Sequence, residues 1–150
     1  MHSTSSILIH APREKIFETV SQLLQWPELL PHYRFVRTQA GHPFVREGWL
    51  GLHMSAVGGW FPVAWKAMFR ADSAKLELHF EHVAAFTKGM QVVWTLTQTP
   101  EGTFVEILHK MSFRVKGLGF LIEPLLQHGF IEPVARKTLA TFKALLEARP

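Results

Sequence analysis

The chain has 150 residues, 47% of them hydrophobic and 12% aromatic, and 16 Lys and Arg against 12 Asp and Glu give a formal net charge of +4. This length suits a single domain over residues 1–150, and the lack of cysteine excludes disulfides, thiolate chemistry and cysteine-zinc sites. The charge excess is small and no run of five basic residues occurs, so we expect no nucleic-acid partner.

The beginning of the chain, MHSTSSILIHAPRE, has no basic region and no long apolar core, so it does not predict a signal peptide. No apolar run approaches the roughly 20 residues of a membrane-spanning helix. The longest candidate, GLGFLIEPLLQHGFIEPVA, contains two Pro and two Glu. Together with the absence of cysteine, these features predict a cytoplasmic protein.

The first elements are a strand and two helices. Alternation predicts a strand over Ser3–His10, and Ala11-Pro12 ends it. A helix follows from Pro12 to about Leu24, because proline is tolerated in the first turn of a helix. Trp26-Pro27 is expected to end this helix, since the residue before a proline avoids the α region. A second, short helix is predicted over Pro27–Leu30.

Six further strands are predicted between His32 and Ser112, separated by short turns that suit antiparallel hairpins. Their predicted ranges are Tyr33–Gln39, Phe44–His53, Trp60–Arg70, Lys75–His82, Gly89–Thr99 and Thr103–Ser112. Alternation along these strands places mainly apolar residues on one face and mixed residues on the other. That pattern is typical of a sheet that is covered on one side.

A long C-terminal helix is predicted to end near Arg149. Its apolar stripe comprises Ile131, Val134, Ala135, Leu139, Phe142, Leu145 and Leu146. Gly129 and Pro133 lie inside the segment and are expected to kink or break it. The part from Phe130 onward is long enough to cross a sheet.

This order of elements predicts an α+β fold in which a curved, seven-stranded antiparallel sheet wraps the C-terminal helix. Two short helices lie between the first two strands. A bent sheet cannot touch a straight helix everywhere, so such a fold leaves a cavity between them. We expect the stretch QWPELLPHY to close one end of the cavity, with Trp26, Leu29 and Leu30 facing inward.

The stretch SSILIHAPREKIFETVSQLLQWPELLPHYRFVRT and the ending VARKTLATFKALLE resemble the START-like superfamily, also called helix-grip or Bet v 1-like. The strand, the helix, the W-P pair and the L-P-x-Y pattern are similar to its polyketide cyclase/dehydrase branch, which includes the coenzyme Q-binding START proteins. Residues 117–133 depart from that pattern, in which a short loop is common. The sequence leaves open whether they form a mobile gate or an extra turn.

The resemblance implies a cavity for a hydrophobic small molecule, such as a lipid, a quinone or a polyketide-like aromatic. The predicted ligand-binding residues are mainly aromatic and apolar, with Arg46, His109 and Trp94 as the orienting set. They are Trp26, Leu30, Arg46, Trp49, Trp65, Phe69, Phe80, Trp94, Ile107, His109, Phe130 and Val134. Packing of the same residues in a filled core is the alternative interpretation.

The alternative function is an enzyme, a polyketide aromatase/cyclase that folds a poly-β-keto chain in the same cavity. His109 is the candidate catalytic residue, because it lies on the apolar face of its predicted strand, where a polar group needs a partner. A core histidine bonded to the backbone would also explain this position. No nucleophile motif occurs, and the sequence favours binding over catalysis.

Metal and cofactor sites are not predicted. The closest metal-like spacing is HFEH, but alternation along a strand puts His79 and His82 on opposite faces. An apolar gate at Phe120, Leu121, Ile122, Leu125 and Leu126 predicts transient contact with a membrane. The sequence leaves open whether the protein is a monomer or a homodimer.

Overall fold

The computed structural model describes residues 1–59, 61–111 and 119–148, without the side chains of Phe86 and Phe120. The strands are β1 (His2–Ile9), β2 (Tyr33–Thr38), β3 (Leu50–Gly58), β4 (Phe61–Asp72), β5 (Glu77–His82), β6 (Gln91–Thr99) and β7 (Gly102–Lys110). The helices are α1 (Arg13–Val20), α2 (Trp26–Leu29), α3 (Gly119–Leu126) and α4 (Glu132–Glu147). Single 3-10 turns occur at Leu23–Gln25 and Ala85–Thr87.

The seven strands form one antiparallel sheet in the order β1-β7-β6-β5-β4-β3-β2. The predicted architecture is therefore confirmed: a seven-stranded sheet, two helices between its first two strands, and a C-terminal helix. The C-terminal helix lies against the inner face, where Leu139, Phe142 and Leu146 are buried. It is tied to β1 by Lys143, whose Nζ donates to the carbonyl oxygen of Leu8 at 2.7 Å.

The helix that follows β1 is shorter than predicted. α1 ends at Val20 rather than near Leu24, and α2 includes Trp26, which the prediction placed outside any helix. The indole of Trp26 turns back, and its Nε1 donates to the carbonyl oxygen of Val20 at 3.1 Å. This bond satisfies a carbonyl that the helix end leaves free. Pro27 lies in the first turn of α2, where its missing N–H breaks no helical hydrogen bond. Trp26 can therefore adopt helical angles directly before the proline.

The third strand begins later and ends later than predicted. Residues 44–49 are not in a strand, because Gly48 has a left-handed φ of +81° that a strand cannot continue through. This segment instead covers the outer face, where Phe44 lies against the Cα of Gly51. β3 continues past His53 to Gly58, and it pairs with β4 along that whole length.

The C-terminal helix is continuous over the described residues, with a π-helical segment at Gln127–Ile131 between α3 and α4. The predicted break is therefore a π turn. Pro133 has no N–H and its ring would crowd the carbonyl of Gly129 in a regular α-helix. The wider turn relieves this crowding, and the N–H of Glu132 bonds to the carbonyl of Gln127.

Several predicted ends, at Trp60, Ser112, Gly117 and Arg149, lie outside the described residues. Within the described part, no helix is long and apolar enough to cross a membrane.

Candidate functional site

A cavity of about 70 Å³ lies between the inner face of the sheet and the C-terminal helix. Strands β2 to β7, α2 and the π and α4 segments all contribute to its wall. The lining residues are Trp26, Tyr33, Met54, Trp65, Phe80, His82, Met90, Val92, Trp94, Ile107, His109, Phe130, Ile131, Val134, Ala135 and Thr138. None of these side chains is an acid, a lysine or an arginine.

Alternation along the strands explains this composition. On β5, Phe80 and His82 face the cavity, whereas Glu77, His79 and Glu81 point to the outer face. On β7, Ile107 and His109 face inward in the same way. The predicted opposition of His79 and His82 agrees with this geometry. The π turn adds a further feature, because it directs the consecutive residues Phe130 and Ile131 into the interior.

Aromatic rings form most of the cavity wall. The ring of Trp65 stacks on His82 with centroids 6.0 Å apart and planes within 9°. The same indole meets Phe130 edge-on at 5.7 Å and Tyr33 at 6.1 Å. Trp26, which also lines the cavity, lies 5.7 Å from Trp94. Rigid rings at these distances are favourable packing partners for another aromatic ring.

His82 is held as a neutral imidazole. Burial away from water, and to a smaller extent the charge of His109, lower the pKa of His82 from 6.5 to about 3. Its Nδ1 lies 3.0 Å from the hydroxyl of Thr87. When that hydroxyl donates to the carbonyl oxygen of Ala84, at 3.5 Å, Nδ1 of His82 is the donor and Nε2 carries the free lone pair.

His109 is neutral for the same reason, since burial lowers its pKa to about 4. Its Nδ1 is shielded from solvent and has no hydrogen-bond partner among the described residues. Buried polar atoms are nearly always paired. His109 therefore brings a fully buried, unpaired polar atom to the cavity wall.

A third polar group, formed by Tyr33 and Thr138, sits on the helix side. The Thr138 hydroxyl donates to the carbonyl oxygen of Val134 at 2.7 Å and lies 2.9 Å from Nε2 of His32. Burial raises the pKa of Tyr33 well above its usual 10, although a hydrogen bond with Thr138 opposes this shift. Burial also lowers the pKa of His32, helped by the charge of Lys137. Because these side chains already have hydrogen-bond partners within the protein, we assign them to the structure of the cavity wall.

Eight of the predicted ligand-binding residues line the cavity: Trp26, Trp65, Phe80, Trp94, Ile107, His109, Phe130 and Val134. Leu30 and Phe69 are buried in the adjoining core without lining it. Arg46 and Trp49 are not brought to the cavity. Arg46 lies on the outer face of the sheet, where it pairs with Glu81 at 2.8 Å and its guanidinium sits 5.0 Å from the Trp49 ring.

The prediction used Arg46 to orient the ligand and Trp49 in the aromatic lining. Residues 44–49 instead form a loop on the outer face, which carries both side chains away from the cavity. Sequence reasoning also missed half of the lining: Tyr33, Met54, His82, Met90, Val92, Ile131, Ala135 and Thr138. For His82, a usable signal existed, because it continues the alternation of Leu78 and Phe80. For the helical residues the signal was also present, because Ile131 and Ala135 belong to the predicted apolar stripe and Thr138 continues its period in α4.

One group of possible metal ligands occurs on the outer face, where Asp72, Glu77 and His79 place ligand atoms within 4.8 Å of one another. These atoms already have partners. Asp72 accepts from the N–H groups of Ala74 and Lys75 at 3.1 Å, and His79 pairs with Glu77 at 3.1 Å. The arrangement is that of a surface ion-pair cluster at a β-turn.

A curved seven-stranded antiparallel sheet that holds a C-terminal helix is the helix-grip fold of START-like and Bet v 1-like proteins. The sequence model of the family described as "Polyketide cyclase / dehydrase and lipid transport" matches residues 1–147. The chain therefore belongs to this family. No curated protein is significantly similar to it in sequence.

Solved structures confirm the fold. TTHA0849 from Thermus thermophilus has 18% sequence identity and a TM-score of 0.79, over 99% of this chain and 98% of that one. The Zhui aromatase/cyclase from Streptomyces sp. R1128 has 13% identity and a TM-score of 0.77, over 99% and 94%. The di-domain ARO/CYC BexL, from the BE-7585A biosynthetic pathway, has 18% identity and a TM-score of 0.80, over 100% of this chain and 51% of that one.

Proposed function

We propose that the protein binds a neutral, hydrophobic small molecule with an aromatic or similarly flat skeleton in the cavity between the sheet and the C-terminal helix. The observation that carries the proposal is the wall itself, which is aromatic and apolar except for two neutral histidines and the Tyr33–Thr138 pair. Binding sites for small molecules commonly combine such a wall with a few polar groups. Membership of a family described by polyketide and lipid chemistry supports the same class of ligand.

The size of the cavity limits how a ligand is held. Its volume of about 70 Å³ is smaller than the cavity of about 150 Å³ that accommodates benzene in an engineered protein. A ligand of one or two rings must therefore displace wall side chains. Phe130 and Ile131 belong to the π turn, a feature that is frequent at functional sites, and we propose that these two side chains move.

The expected affinity is moderate. A two-ring ligand buries roughly 250 Å² of apolar surface, comparable with a large aromatic side chain, and gains about 6 kcal/mol at roughly 25 cal/mol per Å². Association and rearrangement of the wall offset part of that gain. We therefore expect dissociation constants in the micromolar range or weaker.

Native mass spectrometry of gently purified protein, followed by organic extraction, tests the proposal directly. A discrete extra mass that extracts as a lipid or an aromatic supports it. Trp94→Ala should weaken binding of that compound roughly 10-fold, because the indole lines the cavity. Trp49→Ala is the matched control, since Trp49 lies on the outer face, and equal losses for the two variants would refute the site.

A second candidate function is that of an aromatase/cyclase acting on a poly-β-keto chain. The family description, the names of two structurally similar proteins and the pair His82 and His109 support it. The low pKa values of these histidines count against general-base catalysis. A base whose conjugate acid has a pKa of about 4 is roughly a thousandfold weaker than one tuned to pH 7.

A cyclisation assay with a poly-β-keto substrate separates the two functions. If His109 moves a proton in the reaction, His109→Ala should lose most of the rate while still binding product. Full cyclisation by that variant would remove His109 from the mechanism. If the wild-type protein binds the aromatic product but does not form it from the poly-β-keto substrate, the result would support binding and not catalysis.

Transient membrane contact is supported by α3, where Leu121 and Leu125 are 60% and 63% exposed. Ile122 is 37% exposed and belongs to the same patch. Leu126, which the sequence predicted as part of the apolar gate, is buried and does not belong to the exposed patch. The side chain of Phe120, the other member of the predicted gate, lies outside the described residues. Flotation with anionic liposomes tests the contact, and Leu121→Glu should reduce the floated fraction. Equal flotation of both proteins, or none at low salt, would exclude it.

A further inference from the structure

Two buried side-chain atoms in the described part of the protein have no hydrogen-bond partner. They are Oγ of Ser3 and Nδ1 of His109. Leaving a buried polar atom unpaired costs free energy, and native structures rarely do so without a reason. Ser3 is only 4% exposed, so bulk water does not satisfy it. Two such atoms in one place indicate that a partner from outside the chain completes their bonding.

The two residues are neighbours on the inner face of the sheet. Ser3 on β1 lies directly opposite His109 on β7 in the antiparallel register. Opposed residues point to the same face, with their Cβ atoms about 5 Å apart. That face is the concave one, because His109 lines the cavity. Neither atom is open to a water-sized group in the ligand-free protein, and Ser3 lies beside the lining residue His109 without lining the cavity itself. An oxygen atom can bond to both only when a ligand displaces the wall side chains.

We propose that Ser3 and His109 form a polar subsite at the β1–β7 side of the cavity, which holds a neutral oxygen group, a hydroxyl or a carbonyl, of the hydrophobic ligand. This inference rests on the proposed function and specifies the class of ligand. Both atoms are closed to water in the ligand-free protein, so the ligand oxygen would supply hydrogen bonds that water does not.

The charge of the cavity wall restricts the ligand to neutral compounds. Among the described residues that line the cavity, there is no lysine, arginine, aspartate or glutamate. Both cavity histidines are uncharged near neutral pH because burial lowers their pKa values. A carboxylate, phosphate or ammonium group would thus be buried without a counter-charge, which is costly. Alcohols, phenols and ketones on an apolar skeleton satisfy the subsite without that cost.

Ser3 provides a sharp test because its hydroxyl supports nothing else in the described structure. Ser3→Ala breaks no hydrogen bond, so its melting temperature should equal or exceed that of the wild type. Any loss should appear only in the affinity for an oxygenated ligand. Ser6→Ala is the matched control, since Ser6 lies on the same strand and is exposed on the other face.

The experiment uses three small aromatic probes of similar shape: p-cresol with a hydroxyl, p-xylene with a methyl group in its place, and 4-methylbenzoate with a negative charge. Dissociation constants come from NMR titrations that follow the indole N–H signals of Trp65 and Trp94. The measured quantity is the ratio of the p-xylene constant to the p-cresol constant. We expect Ser3→Ala and His109→Leu each to lower this ratio 3- to 10-fold, the effect of about one hydrogen bond. Ser6→Ala should leave it unchanged.

The outcomes separate this inference from the proposed function. If p-cresol and p-xylene both bind, but neither Ser3→Ala nor His109→Leu lowers the ratio, the polar subsite is wrong and the hydrophobic cavity stands. If 4-methylbenzoate binds as tightly as p-cresol, the restriction to neutral ligands is wrong. If no probe shifts the indole signals, the proposed function fails, and the inference fails with it.

Discussion

The two faces of the sheet give the same residue types opposite environments. On β5, His79 points outward and pairs with Glu77 at 3.1 Å, whereas His82, three residues later, is buried against Trp65. Water and a carboxylate surround the first imidazole, and aromatic rings surround the second. The comparison shows that a histidine in this protein takes its chemistry from the face on which it lies.

The tryptophans make the same point. Trp94 lines the cavity and packs against Trp26, whereas Trp49 lies on the outer face beneath the guanidinium groups of Arg46 and Arg70. An inward indole is part of the core and the candidate binding site. An outward one serves as a platform for exposed cations, an interaction of modest strength.

The largest expected contrast between the two faces is in stability. Trp26→Ala should lower the free energy of unfolding by about 3–5 kcal/mol, because Trp26 is 2% exposed and touches the rings of Tyr33, Trp94 and Phe142. Trp49→Ala should cost about 1 kcal/mol or less. Urea denaturation measures both changes. Equal losses for the two variants would break the contrast.

The next effect is a loss of stability in acid. The folded pKa values of His82 and His109, about 3 and about 4, lie below the unfolded value of 6.5, so the unfolded chain binds protons first as pH falls. Their contribution is complete above pH 6.5 and is lost progressively as the pH falls towards the folded values. By pH 5, each of the two histidines should lower the free energy of unfolding by about 2 kcal/mol relative to its value at neutral pH.

Denaturation at a series of pH values measures this loss. The double variant His82→Phe/His109→Phe should show a flatter dependence between pH 6.5 and 4 than the wild type. His79→Gln, which alters the outer face of the same strand, is the matched control variant. A double variant that loses stability as steeply as the wild type would assign the acid sensitivity to other groups.

A smaller effect is expected where β3 meets the C-terminal helix. A Cβ atom added at Gly58 would lie 2.5 Å from the Phe130 ring and 2.9 Å from its Cα, so Gly58→Ala should destabilise by about 1–3 kcal/mol. At Gly129, an added Cβ meets Phe61 no closer than 3.5 Å, and Gly129→Ala should be neutral or slightly stabilising. Thermal denaturation compares the pair. A stable Gly58→Ala protein would show that the π segment moves away from the sheet easily.

The smallest expected effect is at Arg46. Its ion pair with Glu81 is exposed on both sides, so Arg46→Ala should change the free energy of unfolding by less than about 1 kcal/mol. Ligand affinity should change by less than about twofold, because the ion pair lies on the outer face of the sheet and the cavity lies on the inner face. Calorimetric titration with the extracted compound measures the second quantity. A clear loss of affinity would show that Arg46 contributes to ligand binding.

Much of the fold could be predicted because strand alternation and turn residues are local signals. The inward positions of Phe80, Trp94 and His109 follow from a period of two along strands that the sequence delimits well. The outward position of Trp49 could not be predicted, since an apolar, aromatic-rich stretch before Gly51 has the composition of a strand. Only the left-handed Gly48 and the packing of Phe44 on the outer face make it a loop.

By itself, the sequence determined the order of elements, the antiparallel sheet, the C-terminal helix and the apolar face that encloses it, because each depends on neighbours within a few residues. The tertiary structure decided which polar groups share the cavity. Ser3 and His109 are more than a hundred positions apart, and only the pairing of β1 with β7 sets them side by side. Likewise, the Phe130 ring in the π turn packs against Gly58 of β3, which lies more than seventy positions earlier in the chain. Contacts between distant parts of the chain create the chemistry of this site, and no local pattern encodes them.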